Sequence, residues 1–115
     1  MAASSAIPGS ELTIEIDAKP SETTVRCSGK LTAASVDQLL AAVRPQIAAS
    51  DSIVMDLRGL SYMDSSGLGA MVRLYASARQ AKKKMRFINL SQRLKDLFTI
   101  TNLSSIFEGV EHSGM

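Results

Sequence analysis

A near-continuous apolar run, Ile53-Val54-Met55-Asp56-Leu57, leads into Tyr62-Met63-Asp64-Ser65-Ser66-Gly67-Leu68-Gly69 and then into an amphipathic stretch. This passage constrains the fold more than any other. A strand that is apolar on both faces needs cover on both sides. The residues after it repeat apolar positions at helical spacing from about Ser66 to Ala81, with Leu68, Met71, Val72, Tyr75 and Ala78 or Arg79 as the buried stripe. A buried strand feeding a helix implies a layered α/β fold with parallel pairing and right-handed crossovers.

The rest of the chain agrees with that frame. Leu12, Ile14 and Ile16 alternate with Thr13, Glu15 and Asp17, which predicts a half-buried strand over 11–17. The turn at 18–22 and a second strand over 23–28, with Val25 and Cys27 inward, predict a hairpin. Val36, Leu39, Leu40, Val43 and Ile47 form one stripe of a helix over about 33–48. Thr32 is its expected N-cap. Pro45 predicts a kink or an irregular last turn. A strand over 85–90 and a helix over 92–99 follow, with Asn102 placed to end that helix and a short strand expected over 106–111.

The expected order is therefore β-β-α-β-α-β-α, giving a mixed four- to five-stranded sheet with helices mainly on one face. Residues 1–10 read as a mobile tail and residues 11–112 as one domain. Lys82-Lys83-Lys84 reads either as a solvated exit that complements the negative end of the second helix or as a basic docking patch.

Composition narrows the function. The chain has 115 residues, enough for one unstapled core. A net charge of +2 is too small to argue for nucleic acid, and aromatics are too scarce for base stacking. The lone Cys27 rules out an internal disulfide and reads as a small core residue. No apolar run is long enough to span a membrane, and residues 1–10 lack a secretory signal pattern, so a cytoplasmic protein is expected.

Enzymatic readings find little support. His112 is the only histidine and lies near the chain end, far in sequence from Ser65 and Ser66. A hydrolase base must be held rigidly within hydrogen-bond range of its nucleophile. Asp64-Ser65-Ser66-Gly67 is not a Gly-x-Ser-x-Gly elbow, and no phosphate-binding glycine loop is present. One Cys and one His cannot build a zinc site, so neither metal nor cofactor is expected. Asp64, Ser65 and Ser66 could simply cap a helix. Two glycines in one first turn, Gly67 and Gly69, instead point to close approach by another backbone, a partner surface or a kinase.

The segments Ile53–Leu57 and Leu60–Gly69 resemble the signature of STAS domains, and more narrowly of bacterial anti-sigma factor antagonists. The likeness extends to Leu31 with its following helix and to Leu94-Lys95-Asp96-Leu97-Phe98 with Leu103. The resemblance implies a regulatory module, not an enzyme. Its unphosphorylated form would bind an anti-sigma factor that is also a GHKL-type serine kinase, and so free the sigma factor. Ser65 matches the phosphorylated serine, with Ser66 as a lesser alternative. A PP2C-type phosphatase would reverse the modification. Thr32, Asp64, Ser65, Ser66, Gly67 and Leu68 would form the partner-binding site, on a monomer or weak dimer.

Other roles known for such domains are a scaffold in a stress-sensing assembly and a subunit of lipid-transport machinery. Many phosphorylatable members carry an aspartate just after Gly-x-Leu. Here Gly29-Lys30-Leu31 is followed by Thr32, which lacks that charge. The departure implies a slower kinase substrate or a different partner.

Overall fold

The computed structural model describes residues 2–6 and 11–100, with side chains from 11 to 97. One sheet carries five strands in sequential order: β1 (Ala2–Ala6), β2 (Leu12–Asp17), β3 (Thr23–Leu31), β4 (Ser52–Met63) and β5 (Lys84–Ile88). Three helices intervene or follow: α1 (Val36–Ala49), α2 (Ser65–Gln80) and α3 (Gln92–Ile100). The first two pairings are antiparallel, and β3–β4 and β4–β5 are parallel. From β2 onward this is the expected β-β-α-β-α-β-α order in a mixed sheet.

β1 precedes that order. Ala2–Ala6 pairs with Asp17–Thr13, where the sequence reading placed a tail. An Ala/Ser run has no apolar alternation to betray a strand, because the pairing uses backbone groups that every residue has. The expected strand over 106–111, Asn102 and His112 lie outside the described residues.

The core forms where alternation and helical spacing converge. Leu12 and Ile14 of β2, Val25 and Cys27 of β3, Ile53, Met55 and Leu57 of β4, and Met85 and Phe87 of β5 are buried in one cluster. Val36, Leu39, Leu40, Val43 and Ile47 of α1 join it, residue for residue as the spacing predicts. From α2, Leu68, Met71, Tyr75 and Ala78 are buried. Leu74 is buried too, whereas Val72 only packs against the cluster and Arg79 is exposed. Each fully buried Val, Leu, Ile, Met or Phe side chain among these contributes roughly 1.5–3 kcal/mol by leaving water.

α1 runs on through Pro45 to Ala49. It begins at Val36, with Ser35 at the N-cap position, so Thr32 is not the helix cap. Thr32 instead opens a turn. Its carbonyl accepts the N–H groups of Ser35 and Val36 at 2.9 and 3.1 Å, and its hydroxyl accepts from the Ala34 N–H at 3.3 Å. The buried Ser35 hydroxyl accepts from the Thr32 N–H at 3.0 Å and donates to the Lys30 carbonyl at 3.1 Å. These bonds fix the loop between β3 and α1 with no side-chain cap.

β4 is longer than its apolar run. Arg26 lies opposite Asp56, but Ser28 lies opposite Gly59; Gly29 lies opposite Leu60, but Lys30 lies opposite Tyr62. Each shift inserts one extra residue into β4, as a β-bulge does. The inward positions therefore run Ile53, Met55, Leu57, then Leu60, then Met63. Period-two alternation fails at each bulge, and so a reading based on it ends the strand at Leu57. The extra length carries β4 to Met63, directly opposite Leu31 at the end of β3.

Candidate functional site

The ends of β3 and β4 bring two loops together at the carboxyl edge of the sheet. One is the Thr32 turn and the other is the start of α2. Open α/β sheets commonly bind their ligands at this edge. Asp64 joins the two loops. Its backbone N–H donates to the Leu31 carbonyl at 3.2 Å, extending the strand ladder one step past Met63. One carboxylate oxygen accepts the Gly67 N–H at 2.9 Å, which caps α2. The other accepts the Ala33 N–H at 3.3 Å, across the loop boundary. A charged acceptor on backbone N–H groups makes a stronger bond than a neutral one.

With Asp64 as the cap, Ser65 and Ser66 are the first two residues of α2. Both are exposed. The helix thus starts one residue earlier than the sequence spacing suggests. The first turn of α2 contains no acidic residue, and its orphan N–H groups carry partial positive charge. Tyr62, 41% exposed, is the large hydrophobic residue most open to solvent among the described residues, and it stands two positions before Asp64.

Gly67 and Leu68 differ from the serines. Both are buried, and Leu68 belongs to the core cluster. A Cβ on Gly67 would lie 2.7 Å from the Leu31 carbonyl oxygen and 2.8 Å from Cγ atoms of Leu31 and Met63. The close approach inferred for this glycine is met by the protein's own β3 and β4. Gly69 is exposed, and nothing lies within 4 Å of where its Cβ would be. Of the six expected site residues, Ser65 and Ser66 are exposed and Thr32 and Asp64 are half-buried. Asp64 ties their loops together, and Gly67 and Leu68 anchor the helix beneath them.

Sequence reasoning missed the Ala33 N–H and the Ser35 hydroxyl. A backbone N–H has no residue signature, and Ser35 looks like any polar residue before a helix. Among the described residues, no group of histidine, cysteine and carboxylate side chains could hold a metal. No described helix is long and apolar enough to cross a membrane.

Comparison with known proteins adds to this geometry. The STAS domain family matches residues 13–113. An anti-sigma-B factor antagonist of Listeria monocytogenes is 48% identical over 54 residues, 47% of this chain and 47% of that protein. That match spans about half the length of the Listeria relative. An anti-sigma-B factor antagonist of Staphylococcus aureus is 32% identical over 91 residues, covering 76% of this chain and 84% of the relative. The solved structure of the Bacillus cell fate determinant SpoIIAA in its phosphorylated form superposes with a TM-score of 0.68 at 21% identity, over 85% of this chain and 88% of SpoIIAA.

The architecture defines a small α/β domain with a mixed five-stranded sheet and a pair of loops at its carboxyl edge. The chain belongs to the STAS domain family, among the anti-sigma factor antagonists.

Proposed function

We propose that this protein is an anti-sigma factor antagonist switched at Ser65. Its unphosphorylated form binds an anti-sigma factor that is also a GHKL-type serine kinase, and this binding frees the sigma factor in the cytoplasm. Phosphorylation of Ser65 ends the interaction, and a PP2C-type phosphatase restores it. The observation that carries this reading is the exposed Ser65 hydroxyl on the first turn of α2, held beside the Thr32 turn by the Asp64 carboxylate.

The electrostatics favour such a switch. A phosphoserine carries about −1.5 to −2 charge and three acceptor oxygens. At Ser65 it would lie next to the Asp64 carboxylate, so the surface would change from one local negative charge to a dense cluster. The N–H groups at the start of α2 would favour the phosphate locally. A partner packed against the small serine surface would meet both steric clash and uncompensated charge. Each loss of about 1.4 kcal/mol weakens binding tenfold, so a loss of a few kcal/mol is decisive without rearranging the fold. Ser66 is also exposed but stands one residue farther along α2. Thr32 forms the adjoining contact.

The test is incubation with ATP and the anti-sigma kinases of the same source, followed by intact-mass spectrometry with fragmentation. The expected result is one phosphate on Ser65, absent in Ser65→Ala, and at least a tenfold loss of partner affinity in the phosphorylated protein. Binding without phosphorylation would instead identify a constitutive scaffold or transport subunit. Equally tight binding by Ser65→Asp would overturn the switch.

A further inference from the structure

The opposite end of α2 carries a second feature, independent of Ser65. A cleft of about 410 Å³ lies between the last turns of α2 and β5, lined by Tyr75, Ala78, Arg79, Lys83, Lys84, Met85 and Arg86. Four of these residues are cationic and none is acidic. They reach the cleft from three elements: Arg79 from α2, Lys83 from the following turn, and Lys84 and Arg86 from β5.

Arg79 and Lys83 are held by specific contacts. The Arg79 guanidinium stands 6.0 Å over the Tyr75 ring, a cation–π arrangement that directs it. The Lys83 ammonium donates to the Ser50 carbonyl at 2.9 Å, which ties the turn to the end of α1. The turn itself is set by the Lys82 and Lys83 N–H groups, which bond the Arg79 and Ala78 carbonyls. Arg86 approaches Glu22 at 3.8 Å, with both side chains nearly half exposed.

The form of the cleft selects the ligand. Compact phosphate sites gather backbone N–H groups at a helix N-terminus or a glycine-rich nest. This cleft has neither. The cations come from three separate elements, α2, the turn after it and β5. That distribution suits several separate carboxylates along a chain better than one dense anion. We propose that the cleft between α2 and β5 is a docking site for an acidic, carboxylate-rich segment of a partner protein. Ser65 and Arg79 are separated by roughly 20 Å along α2, taking 1.5 Å per helical residue. That exceeds the screening length at moderate salt, so the two sites operate separately.

The test uses an N-acetylated hexaglutamate peptide titrated into the isotopically labelled full chain, followed by NMR at low and high salt. Shifts should cluster within residues 75–86 and fade as salt rises. The Arg79→Gln/Lys84→Gln double variant should lose about tenfold in affinity, as expected when two of four steering charges are removed. Lys84→Gln alone, a change at an exposed position, should lose less, and Arg79→Lys should keep most of the binding. Ser65→Glu should bind the peptide as the parent does. Shifts scattered over other surfaces, or unchanged binding in the double variant, would overturn the proposal. So would tighter binding of inorganic tripolyphosphate in the same cleft, which would identify a phosphate ligand.

Discussion

The Asp64 carboxylate accepts the backbone N–H of Ala33 at 3.3 Å while its other oxygen caps α2 through Gly67 at 2.9 Å. A single side chain thus sets the spacing between the Thr32 turn and Ser65. Asp64→Ala removes both bonds, and the loss of an N-cap costs about 0.5–2 kcal/mol. We expect the variant near the upper end of that range in urea unfolding. Asp64→Asn can keep the cap with its carbonyl oxygen, but its amide would face the Ala33 N–H as donor against donor. It should therefore fall between the parent and Asp64→Ala.

The two glycines of the motif should behave oppositely. Gly67→Ala forces a methyl to within 2.7 Å of the Leu31 carbonyl oxygen. Overpacking of this kind costs about 1–3 kcal/mol. Gly69→Ala meets open space in a helix interior, where alanine is favoured over glycine by about 0.8–1 kcal/mol. Thermal unfolding of the two variants should move in opposite directions from the parent.

Cys27 supplies a pH prediction. Burial, reinforced by the Asp56 charge, pushes its thiol up from 9.0 to about 12. The folded state therefore retains the proton where the unfolded chain has lost it. The stability contributed is fully present below pH 9 and is lost as pH rises from there through about 12. Cys27→Ala should flatten this alkaline decline relative to the parent. A thiol reagent at neutral pH should react at the rate of unfolding, since a buried thiol is inert until exposed.

The turn after α2 offers a stabilising change. Lys82 holds a left-handed conformation, φ 60°, at the position where helices commonly place glycine. That conformation costs an L-residue about 1–2 kcal/mol, partly offset by the greater freedom glycine has when unfolded. Lys82→Gly should raise stability by about 0.5 kcal/mol, measured by the urea midpoint. It leaves the four cations of the neighbouring cleft in place.

Patterns set by burial were legible in the sequence. The stripe of α1 and the alternation of β2 are direct consequences of which side faces the core, and they name the right residues. The junction around Ser65 was legible for a related reason: Asp64, Ser65 and Ser66 are helix-capping residue types placed just before an apolar stripe at helical spacing. Features set by backbone bonding were not. β1 pairs through peptide groups of an Ala/Ser run, the Thr32 turn substitutes main-chain bonds for a helix cap, and two bulges disguise half of β4. The burial of Gly67 was visible only as an unexplained glycine, since its partners Leu31 and Met63 are brought to it by the sheet.

The helical start at Ser65 also limits what can modify it. Its backbone is already committed to α2, and the residue before it is bound on both carboxylate oxygens. An enzyme that threads its substrate as an extended peptide would first have to melt this junction. A kinase acting on Ser65 in the native protein must recognise a folded shape. A short peptide copying the motif would then be a poor substrate, and specificity would reside in the assembled surface more than in the local string of residues.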